Sequence, residues 1–323
     1  ETLALLPHFT PANASLHEHP RVHLHAADAR RFVRADQALY DVVIGDLFHP
    51  GRDGGGLLYT VEHFTAIRER LAKAGLYCQW LPLYQMDVEL LRDITASFLE
   101  VFPDSEAWLA GFDLDYPALA LIGYRQTPGN AGSIDRRLAA NADLRGQLAT
   151  AAVRDSVQLL GHFIADAKTL ARFADQGRLN TDDLPGVLFA APRFSHRRAL
   201  ASHQTLADLR RIIGDVAGQQ RPKTAQSAST QFHARLTAFI TARETYLDTR
   251  LEHRQVNDQA IDRYLQAVAI SPDFTLAYAE IVQQALHVAP RDISLARRWL
   301  TRLDAVRPEI SGARRLLARL DHP

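Results

Sequence analysis

Cysteine is almost missing from this chain. Cys78 is the single one in 323 residues, which excludes an intrachain disulfide framework and suits a reducing compartment. An excess of charge of one sign is also missing: Lys+Arg 37 and Asp+Glu 37 cancel, so no net field favours nucleic acid or an anionic membrane. Lysine is scarce, arginine supplying 34 of the 37 basic residues, a bias with no functional reading. No apolar run approaches the roughly 20 residues that span a bilayer, and no signal-peptide pattern opens the chain. An initiator methionine is lacking as well: the chain starts at Glu1, and ETLALLPHF places Leu3, Leu6 and Phe9 on one helical face with no strand before it. The expectation is a front lying upstream. What is present is ordinary for a globular protein, 47% hydrophobic and 23% charged residues, with length for two or three domains of about 100–200 residues.

Three regions follow from periodicity. Residues 1–125 alternate strand and helix: RVHLHA (21–26) as strand, DARRFVRA as short helix, YDVVIGD as strand, and YTVEHFTAIRERLAKAG as a helix stopped by Gly75. LYCQWLPL as strand, MDVELLRDITASFLEVF as helix, and the pair SEAWLAGF and PALALIGY complete it. Helices between strands imply crossovers and a mostly parallel sheet, with an antiparallel pair at its end. Residues 126–220 are a mixed helical extension, with TPGN and GRLNTDDLPG as loops and GVLFAA as a short strand before Pro192. The polar stretch RPKTAQSAST (221–230) has the composition of a linker. In residues 231–323, Pro272, Pro290 and Pro308 lie 18 residues apart and each interval holds one helical pattern. Two intervals come close to the about 34 residues of a tetratricopeptide repeat, with an ordinary helical bundle as the other reading. The fold class expected is therefore α/β, a Rossmann-like sheet of the methyltransferase type incomplete at its N-terminal side, followed by an all-α helical-repeat domain.

One stretch points to chemistry. YDVVIGDLFHP (40–50) is an apolar, β-branched run closed by Pro50, Gly51 and Gly54 to Gly56, the pattern of an inner strand. In open α/β sheets the ligand crevice lies outside the carboxyl ends of the strands, so Asp46 is the leading candidate for a pocket carboxylate.

The ordered set ADARRF, YDVVIGDLFHP, a glycine-rich loop, LLYTVEHF, GLYCQWL and DYPALALIG resembles the spermidine synthase family of aminopropyltransferases. It is most similar to the bacterial branch in which such a domain follows a polytopic membrane segment, and NTDDLPGVLFAAPR (180–193) resembles that branch's closing motif. The resemblance implies transfer of an aminopropyl group from decarboxylated S-adenosylmethionine to a small-molecule amine, without a metal. It also implies a cytoplasmic domain of a larger inner-membrane protein, and leaves a homodimer open. By resemblance Asp46 is the catalytic base and Tyr116 orients the amine. Asp28 and Ala29 hold the adenine. Leu58, Tyr59, Thr60 and Phe64 match the hydrophobic segment after a gating loop, Tyr59 among the substrate contacts, and Gln79 is a polar contact. His49 stands where the family has the acid that attracts the distal ammonium of a polyamine, and Asp53 is the candidate replacement. The family's glycine-rich nucleoside loop and its ribose-gripping acid have no counterpart after Glu1, and their strands would flank YDVVIG. Gly54 to Gly56 follow the wrong strand to replace that loop and suit a mobile lid.

Plainer readings stand beside these. Asp28 also suits a cap for the helix ARRFV, and Tyr116 a turn before Pro117. His23 and His25 suit surface positions as well as a metal site, since no cysteine or H-x-x-x-H pattern accompanies them. Cys78 suits a small buried hydrophobe, and Asp182–Asp183 suits a polar turn as well as a carboxylate pair. Two further functions remain: a degenerate Rossmann-like binding module whose helices dock a protein or peptide partner, and a methyltransferase using S-adenosylmethionine.

Overall fold

The apolar run at 40–45 forms a strand, β1 (Tyr40–Gly45), and the segment before it a helix, α2 (Ala29–Ala35), the first helix α1 (Thr2–Leu5) being a single turn. The structure, a computed structural model, describes residues 2–10, 15–52, 54–126, 132–151, 153–197, 202–214, 221–225, 228–253 and 256–321. After β1 come α3 (Val61–Glu69), β2 (Leu71–Pro82), α4 (Val88–Val101), β3 (Glu106–Leu109) and β4 (Ala118–Tyr124). Then follow α5 (Gly132–Ala140), α6 (Ala142–Thr150), α7 (Ser156–Leu160) and β5 (Phe163–Ala165). The sheet has the order β1-β2-β4-β3-β5. Only β1 and β2 are parallel; β2–β4, β4–β3 and β3–β5 are antiparallel. The expectation of a mostly parallel sheet is thus corrected, because tight connections such as the loop between β3 and β4 leave no room for a crossover. The expected antiparallel pair at the sheet's end is present.

Several local expectations give way to tertiary context. RVHLHA (21–26) is not a strand, since no neighbour supplies a ladder there. The helix expected up to Gly75 ends at Glu69, and Gly75 lies within β2 where the β1–β2 register shifts. A Cβ at Gly75 would come 2.8 Å from the Tyr40 carbonyl oxygen, so this glycine permits a bulge. GVLFAA is helical, inside α9 (Gly186–Arg197), where Val187 and Ala191 are buried one turn apart. Within the expected linker, Ala225 is fully buried and the Lys223 amide donates to Glu106 at 2.6 Å, so residues 221–225 pack on the sheet. The TPGN loop (127–130) lies outside the described residues.

The core grows from aromatic residues on elements with clear local signals. Thr60 caps α3 and Asp87 caps α4 through the amides of His63 and Leu90. Leu90, Leu91, Ile94, Phe98 and Val101 then share the buried face of α4. Phe98 meets Phe64 of α3 edge-on with ring centroids 5.1 Å apart and stacks on Tyr77 of β2 at 5.7 Å.

The remainder is helical: α8 (Ala167–Ala174), α10 (Gln204–Ile213), α11 (Thr230–Glu252), α12 (Asp258–Ile270), α13 (Thr275–Val288), α14 (Ile293–Val306) and α15 (Ser311–Asp321). Pro272, Pro290 and Pro308 stand in the turns between α12 and α15, one helix per interval. Trp299 of α14 reaches back to α12, its Nε1 donating to Asp258 at 2.6 Å. The helical region continues the core of the sheet region: one cluster of buried apolar residues runs from Phe64 and Phe98 through Phe239 to Trp299. Arg243 of α11, 0% exposed, donates to the carbonyls of Gly161 and Phe163 at 2.6 and 2.7 Å and to Glu244. Glu244 also pairs with Arg210 of α10, whose guanidinium lies 2.8 Å from Asp248.

Candidate active site

β1 and β2 run parallel, while β4 enters and β3 leaves at the same sheet edge as their carboxyl ends. Asp46 after β1, Tyr84 after β2 and Tyr116 before β4 therefore open on one edge, the location expected of a ligand crevice in this architecture. Asp46 is exposed, and its Oδ1 accepts the Leu47 amide at 2.7 Å. Among the described residues its Oδ2 has no partner, and no arginine pairs with it. Tyr116 is 69% exposed, resting edge-on against Tyr84 at 5.5 Å.

Gln79 braces the end of β1. It lies opposite Gly45, its Nε2 donates to the carbonyls of Trp80 at 2.9 Å and Gly45 at 3.4 Å, and its Oε1 accepts the Tyr77 hydroxyl. Burial lifts the Tyr77 hydroxyl well above its ordinary pKa, which keeps it a donor. A Cβ at Gly45 would meet Gln79 Oε1 at 2.7 Å, so only glycine admits this brace. With 1% exposure, Gln79 spends its amide on the two strands that present Asp46.

The loop after Asp46 is tied at several points. Tyr59, fully buried, donates to the Phe48 carbonyl at 2.9 Å, and burial pushes its pKa up. His49 Nδ1 accepts the Gly51 amide at 3.1 Å. Burial, then the nearby Arg52 guanidinium, lower its pKa, so the ring is neutral near pH 7 and draws no ammonium. Gly56, expected in a lid, is buried: a Cβ there would lie 2.5 Å from the backbone of Leu188 in α9. Asn180 locks this contact, donating to the Gly56 carbonyl at 3.1 Å and accepting the Val187 amide at 3.1 Å. Asp53 lies outside the described residues.

Asp28 caps α2, accepting the Arg31 amide at 2.9 Å, and Ala29 is the first helical residue. The cap leaves Oδ2 of Asp28 without a partner among the described residues. Asp182, which suited a turn or a carboxylate pair, is a structural hub. It accepts Thr60 at 2.9 Å, Arg30 at 2.5 Å and Arg34 at 3.0 Å. Burial raises its pKa, but the three donors outweigh this and hold the carboxyl below its ordinary range. Beside it His63, 5% exposed, has a pKa lowered to about 4 by burial first and by Arg30 and Arg34 second. No local motif announces this cluster, whose partners lie 122 to 152 residues from Asp182.

His23 and His25 line an apolar cavity of about 490 Å³ with Phe32, Val33, Val42 and Val43, on the outer flank of β1. Among the described residues no group of three or more His, Cys, Asp or Glu could hold a metal ion. Cys78 is partly buried, its thiol pushed up to about 11 by burial, which leaves little thiolate. No described helix is long and apolar enough to cross a membrane.

No protein-family model matches the chain. A stretch of 118 residues is 30% identical to a polyamine aminopropyltransferase of Lachnospira eligens; it takes in 36% of this chain and 41% of that protein. The matched stretch therefore spans less than half the length of this curated relative.

Proposed function

We propose that the chain carries an aminopropyltransferase-like site of the spermidine synthase type, with Asp46 as general base. In this reading Asp46 takes a proton from an ammonium or amine, and the freed nitrogen pair forms a C–N bond to the aminopropyl carbon of decarboxylated S-adenosylmethionine. The C–S bond breaks toward the sulfonium sulfur, which leaves as the thioether methylthioadenosine. The observation that carries the reading is the partner-free Oδ2 of Asp46 at the carboxyl end of β1, with Tyr116 on the same edge. The stretch of identity to a polyamine aminopropyltransferase supports it. Asp28 and Ala29, at the amino end of α2, are the adenine contacts of this reading, through the carboxylate oxygen the cap leaves over. The helices α12 to α15, recurring every 18 residues, are read as tetratricopeptide-like and as the surface for a protein partner.

The test is calorimetry with methylthioadenosine and a transfer assay with decarboxylated S-adenosylmethionine and a diamine, on this chain and on a longer natural form containing it. Asp46→Asn lowers turnover by about 10²–10⁴-fold and leaves nucleoside binding in place, while Asp28→Ala weakens that binding. Turnover unaffected by Asp46→Asn overturns the assignment. One observation favours a second reading, a binding module without turnover: His49, its pKa lowered by burial and by Arg52, stands where an acid would attract a distal ammonium and gives no such pull. Absence of methylthioadenosine binding by either form selects it.

A further inference from the structure

α2, which carries Asp28 at its amino end, is seven residues long, and none of the seven is buried. A helix this short takes its stability from what it packs on, and here the packing is thin. Phe32 and Val33 line the cavity of about 490 Å³ beside β1. Phe32 rests on the His25 ring at 5.0 Å, and Val33 reaches the margin of the core. Charge supplies the firmer hold. Arg30 and Arg34, one turn apart on one face, both grip Asp182, at 2.5 and 3.0 Å. Among the described residues these two pairs are the hydrogen bonds that join α2 to another part of the chain.

Asp182 can serve as an anchor because its own stretch is fixed at alternate residues. The Arg178 and Asn180 amides donate to Asp93 and Ser97 of α4 at 2.7 and 2.8 Å, and the Asp182 amide donates to Glu62 of α3 at 2.9 Å. The Asn180 carbonyl accepts the Val61 amide at 2.9 Å. Asp182 thus hangs from α3 and α4, whose Phe64 and Phe98 meet in the core, and holds α2 through both carboxylate oxygens. Arg30 lies two residues from Asp28, so the anchor sits beside the carboxylate that caps the helix.

We propose that Asp182 is a positioning residue: it fixes α2 against α3 and α4 and so sets where Asp28 meets a nucleoside. The nucleoside role of Asp28 rests on the transfer reading; the anchoring of α2 does not.

Two measurements separate them. Hydrogen exchange without ligand compares the wild-type chain with Asp182→Asn, which keeps an oxygen for Thr60 and removes the charge that holds the arginines. The hydrogen-bonded amides of α2, from Phe32 onward, exchange about three- to thirtyfold faster, the range for two part-exposed charge contacts, while those of α4 do not change. Unchanged exchange in α2 overturns the anchor. Calorimetry with methylthioadenosine, on this chain and on a longer natural form containing it, reads the second step. Asp182→Asn weakens binding within the same range, about three- to thirtyfold, because the ligand must first restore α2 to its place. Arg30→Gln with Arg34→Gln weakens it equally, and the three changes together weaken it no further. The arginine variant leaves Asp182 and its Thr60 bond intact, so it reads the anchor even where Asp182→Asn unfolds. Additive losses would overturn the proposal, since Asp182 would then act through Thr60 and α3. In the transfer assay KM for decarboxylated S-adenosylmethionine rises and kcat holds, because Asp46 is untouched; a fall in kcat at constant KM overturns it as well. Methylthioadenosine bound by neither wild-type form would remove the nucleoside role together with the transfer reading. Wild-type binding that is indifferent to Asp182→Asn would remove the positioning role alone.

Discussion

Arg243→Ala tests whether the helical region and the sheet region fold as one unit. The Arg243 guanidinium is fully buried and bonds two carbonyls that flank the start of β5, those of Gly161 and Phe163, as well as Glu244. Truncation removes four charge-assisted hydrogen bonds and leaves Glu244 with Arg210 as its remaining guanidinium. Breaking a buried pair by deleting one partner costs about 3–5 kcal/mol. Glu244 is 27% exposed along its side chain and keeps a partner, which places the expected loss near 3 kcal/mol. The assay is urea denaturation followed by two probes. Far-UV circular dichroism reports the helices, and fluorescence in a Trp299→Phe background reports Trp80 and Trp108 on β2 and β3. Both midpoints shift together, because Phe112 and Phe239 join the two regions in one core cluster. A shift in the helix signal with the sheet fluorescence unmoved would refute a single cooperative unit, and a loss below about 1 kcal/mol would refute the assigned role of the arginine.

Other predictions follow from buried groups. His63 is held neutral in the fold, with its pKa lowered from 6.5 to about 4. The unfolded chain takes up the proton first, so its contribution is complete above pH 6.5 and is lost as pH falls toward 4, at most roughly 3 kcal/mol. His63→Phe flattens stability across that window in pH-dependent thermal melts, and an unchanged slope would count against the neutral imidazole. Gly56→Ala places a methyl 2.5 Å from the α9 backbone and costs about 1–3 kcal/mol by forcing that helix from the loop. Chemical denaturation measures it, and a neutral result would show that the loop is not docked. Asn180→Ala removes both bonds of the same lock and costs about 1–3 kcal/mol, with chymotrypsin cleaving near Leu57 and Tyr59 faster than in the wild-type chain.

Much of the architecture was legible in residue order. β1, α4, the β3–β4 pair and the four helices after Asn257 follow from periodicity, cap residues and proline spacing, all set by neighbours within a few positions. The strand-end location of Asp46 was legible for the same reason, since an apolar run that stops at a carboxylate is a local pattern. Asp28 as a cap was legible too, because the bond spans three residues.

What local pattern missed depended on partners far along the chain. VLFAA is apolar enough for a strand, and its contact with Gly56 and Asn180 made it helix. AKAG continues a helical pattern, yet the Leu71–Tyr40 ladder drew it into β2. The polar residues at 221–225 look unattached until Glu106 and a buried Ala225 position are present. The same holds for chemistry. The sequence by itself determined which residues could carry a charge and where strands end. Only the tertiary structure decided that Asp182 is neutralised by Arg30 and Arg34 and that Gln79 is spent on Gly45. The physical reason is that secondary structure is set by periods of two to four residues, whereas burial and charge pairing are set by what long-range folding brings within a few ångströms.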